Sequence, residues 1–252
     1  MSDWQAMKTP LISALLVLCG LPFTPQAYAT PPVEQTSATP ATQAPVSVPV
    51  LPQVTDTKAP VAPGTQMHTS DLGYSYSIPV DWEIVDARPM LPVVQQKVED
   101  QAKSKSEKSG VSCVQIDLLA RHGSPFSVIE TVTLPFDCLG KVYADKDLAA
   151  FATGAADGLK RSFAVADPVY SAYKLGSHSL WIERTSGTFI DHPEYKRELE
   201  ITCSILKKAA VCWVAIAADA DALQTFEHSL VSLEGDSVAS LVPDDAFQKN
   251  HK

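Results

Sequence analysis

Residues 198–206 alternate apolar and polar side chains, break at Lys207-Lys208, and resume as the apolar run 209–217. A period of two on both sides of a two-residue break is the pattern of a β-hairpin. With the two lysines as the turn, Leu206 faces Ala209, Cys203 faces Cys212, Ile201 faces Val214 and Leu199 faces Ile216. The last three pairs share one apolar face. Counted out from the turn, Cys203 and Cys212 form a non-hydrogen-bonded pair, the closer kind, which can carry a disulfide across the strands. A Lys-Lys turn lacks the usual Asn-Gly chemistry, and a slip of one residue would put the two sulfurs on opposite faces.

The rest of the chain supplies partners for this hairpin. Residues 74–78 alternate like a half-buried strand, Pro79 and Asp81 interrupt them, and 82–85 begin another. The polar stretch 95–108 reads as a short exposed helix or a loop stopped by Gly110. Val114, Ile116 and Leu118, a turn at His122-Gly123-Ser124-Pro125 and the run 128–134 predict a second hairpin. Leu148, Phe151, Ala152, Ala155 and Leu159 fall on one face of a helix over about 146–162. Strands follow at 169–175 and 180–189, joined at Gly176-Ser177. Asp219 caps a final helix containing Ala222, Leu223, Phe226, Leu230 and Leu233, closed by Gly235. The order predicts an α+β fold, an antiparallel β-sheet flanked by helices.

The N-terminal end reads as an address. Lys8 precedes an apolar run at 11–21, about a dozen residues and too short to span a bilayer, and Ala27-Tyr28-Ala29 places small residues where signal peptidase needs them. The expectation is a signal peptide over 1–29, cleaved after Ala29, and a periplasmic or secreted product. Lipidation at Cys19 is the alternative route to the envelope, although Leu18 stands where a lipoprotein signal wants a small residue. Residues 30–66 are rich in Pro, Ala and Thr, a composition that favours a disordered linker. The folded domain is then expected at 67–235, with a polar tail at 236–252.

Export leaves four cysteines, and an oxidising compartment makes two disulfides the default. Beside Cys203–Cys212, a Cys113–Cys138 bridge would join the start of the first hairpin to its end. No C-x-x-C occurs, which argues against a redox-active pair. With 20 Lys+Arg against 29 Asp+Glu the net charge is −9, which argues against nucleic acid and anionic membranes as partners. A membrane tie would come only through an acyl chain at Cys19.

Three groups of residues carry candidate chemistry. Trp181, Trp213, Tyr74 and Tyr76 can line a ligand groove or fill layers of the core, and Trp213 exposed beside Trp181 would form a binding patch. Asp191, His192 and Glu194 put three potential metal ligands in one loop, where a site needs three or four that converge. Ser177-His178-Ser179 invites a nucleophile, but a triad draws its members from separate segments and no Gly-x-Ser-x-Gly elbow is present. No cofactor is indicated.

The opening 74–82, an aromatic strand followed by Pro79 and Trp82, resembles the PsbP/DcrB-like group of extracytoplasmic proteins. So do the strand around Trp181, the hairpin 198–217 and the closing segment with Phe226 and Leu230. The resemblance spans most of 67–235 and implies an α-β-α sandwich without shared catalytic residues. It points to a non-catalytic binding or assembly-factor domain at the cell envelope, its partner an envelope protein or a small ligand. The competing expectation is a small metal-dependent or Ser/His hydrolase.

Overall fold

The structure, a computed structural model, describes residues 64–101, 110–123 and 126–251. The expected signal segment, its cleavage site at Ala29, Cys19 and nearly all of the linker lie outside these residues. Among the described residues no helix is long and apolar enough to cross a membrane.

Among the described residues, thirteen strands and five helices of four or more residues follow one another. Strands β1 (Thr65–Thr69), β2 (Tyr74–Pro79) and β3 (Glu83–Ile84) precede helix α1 (Leu91–Gln101). Strands β4 (Gln115–Gly123) and β5 (Phe126–Pro135) then lead to the short α2 (Phe136–Leu139) and to α3 (Leu148–Leu159). Next come β6 (Phe163–Val165), β7 (Val169–Leu175), β8 (His178–Phe189), β9 (Lys196–Leu206), β10 (Ala209–Ala217) and α4 (Ala220–Glu227). The chain continues as β11 (Leu230–Leu233), β12 (Asp236–Ser237), β13 (Val242–Pro243) and α5 (Asp245–His251). Nine strands form one antiparallel sheet in the order β13-β7-β8-β9-β10-β5-β4-β3, with β6 added against β8. A second sheet runs β1-β2-β11-β12.

The β9–β10 hairpin takes the expected register, Cys203 opposite Cys212 and Leu199 opposite Ile216. Its turn is made by two non-glycine residues in the left-handed region, Lys207 at φ 42° and Lys208 at φ 64°. A primed turn matches the twist of the strands, which outweighs the steric cost at each lysine. Lys208→Gly should therefore stabilise the protein by about 0.5–1 kcal/mol, read as a higher urea midpoint at unchanged slope. A lower midpoint would contradict this turn. Lys207 is the position to leave alone, since its Nζ donates to the Asp71 carbonyl at 2.6 Å.

Two layers cover the large sheet. On the disulfide face lies α3, whose Leu148, Phe151, Ala152, Ala155 and Leu159 are all buried as the spacing predicts. On the opposite face lies the small sheet together with α4, so helices flank the large sheet on one side and a sheet-plus-helix layer covers the other. This double cover explains why β10 is buried along its whole length and why Glu200, Thr202 and Ser204 of β9, polar by alternation, are buried too.

The closing segment departs from expectation. Asp219 does cap α4, accepting from the Ala222 amide at 2.9 Å, but the helix ends at Glu227. Leu230–Leu233 is instead β11, paired with β2, and Glu234-Gly235 is its hairpin turn, with φ 45° and 95°. A glycine after apolar residues reads equally as a helix stop or as a turn. The free edge of β2 decides, because a strand there pairs backbone groups that a helix would leave unmatched.

The folded unit also reaches past the expected boundaries. It begins with β1 at Thr65, and residues 236–251 form β12, a 3-10 turn, β13 on β7, and α5, whose Phe247 packs on Trp181 at 6.0 Å. Phe247, the one large apolar residue of α5, leaves almost no periodic signal, yet it anchors the helix.

Candidate functional site

The inner face of the large sheet, opposite the disulfide, carries Tyr173 on β7, Leu180, Ile182 and Arg184 on β8, Glu200 and Thr202 on β9, and Trp213 and Ala215 on β10. Above them stand Tyr76 of β2, Phe226 and Glu227 at the end of α4, and Val238, Ala239 and Leu241. Between these walls lies a cavity of about 460 Å³. Ligand sites span roughly 300–1,000 Å³, so the volume suits a small organic molecule.

The wall is mostly apolar and its polar groups are concentrated. Arg184 donates from Nε to Glu200 at 2.6 Å and from its terminal nitrogen to Glu227 at 2.8 Å. Thr202 donates to the other Glu200 oxygen at 3.0 Å. Burial pushes the Glu200 carboxyl up, opposed by the charge and hydrogen bond of Arg184. The Tyr76 hydroxyl donates to the Phe226 carbonyl at 3.0 Å, and burial raises its pKa so that it stays protonated. Trp213 is 4% exposed, stacks edge-on against Tyr74 at 5.3 Å, and its Nε1 has no acceptor.

A second polar cluster sits between the sheets. The register of β4 against β5 shifts between Ile116 and Leu118, making Asp117 the extra residue of a bulge. Tyr74 donates to Asp117 at 2.5 Å and His68 Nε2 lies 3.6 Å from the same oxygen. The nearby His68 outweighs burial and, with Ser70 and Tyr74, lowers Asp117 to about 2. Ser70 and His68 both serve the acid, whereas a catalytic relay needs the histidine between serine and acid.

The aromatic candidates thus divide. Trp213 and Tyr76 reach the cavity wall, Tyr74 backs Trp213, and Trp181 lies on the other face, opposite Cys203, packed at 5.8 Å on Tyr170. Trp181 and Trp213 therefore form no shared patch, because residue 181 of β8 and residue 213 of β10, on either side of β9, point to opposite sides of one sheet.

Asp191, His192 and Glu194 stay together in the exposed β8–β9 loop, with His192 Nδ1 at 3.2 Å from Glu194. Among the described residues no group of three His, Cys, Asp or Glu side chains is placed to hold a metal ion. His178 pairs with Glu234 at 3.3 Å while Ser179 donates to Asp145 at 2.6 Å, so the two serve separate acids and make no nucleophile–base pair.

Both cysteine pairs are bridged, Cys113–Cys138 with Cα atoms 5.6 Å apart and Cys203–Cys212 at 4.2 Å. Sequence reading missed Arg184, Glu200 and Glu227. The one available signal was the charge pair at opposing strand positions, Arg184 against Glu200.

Two buried acids give the fold a pH dependence. Burial holds the Glu130 carboxyl well above 4.5 and pushes Glu183 up to about 7, and each has one oxygen without a partner. Above about pH 4.5 the unfolded chain releases these protons while the folded chain keeps them, so stability falls as pH rises toward the folded values. Glu130→Gln should gain on the wild type at pH 8 relative to pH 5 in urea unfolding. Parallel losses at both pH values would contradict a protonated Glu130.

No family model and no curated protein matches this chain. Among solved structures it is similar to the solution structure of cyanobacterial PsbP (CyanoP) from Synechocystis sp. PCC 6803. The two share 13% identity over 69% of this chain and 96% of that one, with a TM-score of 0.40. The α+β assignment stands on the strand pairing and helix packing described above.

Proposed function

We propose that the chain is an exported, non-catalytic binding domain that takes a small, largely apolar ligand at the cell envelope. The observation that carries this reading is the 460 Å³ cavity between the two layers, with its apolar wall and one concentrated polar edge. Two disulfides fit an oxidising compartment, and the N-terminal pattern of Lys8, an apolar run and Ala27-Tyr28-Ala29 supports export with cleavage after Ala29. A cavity of this kind favours a small ligand over an envelope protein as the primary partner.

Native mass spectrometry of the chain purified from the envelope fraction tests both halves. The reading expects a mature N-terminus at Thr30 and an adduct released by organic solvent. A cytoplasmic chain with an intact N-terminus would overturn export. A chain that neither carries an adduct nor captures any neutral apolar compound offered to it would overturn the binding role.

A further inference from the structure

The walls of the cavity are specific about charge. Four aromatic residues line it, Tyr76, Tyr173, Trp213 and Phe226, and aromatic faces attract cations through their quadrupoles. The ionisable residues on the wall are two acids, Glu200 and Glu227, and two basic groups, Arg184 and His228, of which Arg184 is already engaged by both acids. Arg184 divides its donors between them, Nε to Glu200 and one terminal nitrogen to Glu227, so one guanidinium answers two carboxylates.

Resting on the binding role above, we propose that the ligand is an organic cation of the alkylammonium type, its alkyl part against the apolar wall and its nitrogen among the rings and the Glu200–Glu227 edge. A carboxylate or phosphate ligand would meet two acids there. A neutral ligand would gain the apolar burial but nothing from the acids.

Three probes of equal chain length separate the outcomes, each titrated calorimetrically into the full chain: decyltrimethylammonium and decanoate below their micellar concentrations, and decanol below its solubility limit. The cation is expected to bind about tenfold more tightly than decanol, and decanoate more weakly than either. Glu227→Gln should weaken the cation about five- to tenfold and affect decanol less than the cation. Raising salt should weaken cation binding to the wild-type chain, a second readout that needs no variant. Decanol binding as tightly as the cation, or decanoate binding best, would overturn the charge assignment while leaving the binding role standing. Failure of all three probes would overturn both.

Discussion

Replacing Trp181 with Ala is expected to cost about 3–5 kcal/mol of stability, the largest effect of any single truncation considered. The ring is 1% exposed and sits between Tyr170 at 5.8 Å and Phe247 at 6.0 Å. Its loss removes packing beneath α3 and the contact that docks α5. Denaturant unfolding should show the drop, and proteolysis should cut first near residue 245. A loss under about 1 kcal/mol would mean that this face is not the packed core described here.

Removing the Cys113–Cys138 bridge by replacing both residues with Ala should cost about 3.5 kcal/mol in the chain-entropy account. The pair lies 25 residues apart, whereas Cys203 and Cys212 lie 9 apart. The shorter loop restricts the unfolded chain less, so its removal should cost about 2.5 kcal/mol. The order of the two losses is the informative result. If the hairpin bridge proved the costlier, stabilisation would come from the native sheet more than from the unfolded state.

What the sequence made legible was local. The β9–β10 register followed from period two, two cysteines and a two-residue gap, and α3 followed from five apolar residues at helical spacing. These signals lie within some twenty residues of chain. The second covering layer did not announce itself, because it joins β2 to β11, residues 76 and 230, across most of the domain. Without that layer Leu230 and Leu233 looked like one more helical turn, and Trp213 looked like a residue in search of cover.

The candidate site was legible only in part, for the same reason. Trp213 and Tyr76 were singled out as aromatics, but their neighbours Arg184, Glu200 and Glu227 come from β8, β9 and α4 and meet only in three dimensions. Alternation marked Glu200 as outward and polar. In the structure it is 8% exposed, and its carboxylate is held by Arg184 and Thr202. The loop residues Asp191, His192 and Glu194 drew attention because they are adjacent in sequence, which brings polar groups close without giving them a common target.

The central claim is that the cavity between the layers is a ligand site, and a neutral fluorescent probe tests it most directly. N-phenyl-1-naphthylamine should bind saturably at one site per chain. Enlarging a wall residue should then close the site, by Ala215→Phe from the sheet side or Ala239→Phe from the covering side. The account predicts that both variants keep the wild-type circular dichroism and both disulfides while losing the probe. Saturable binding that survives both substitutions in folded protein would place the site elsewhere and contradict the account.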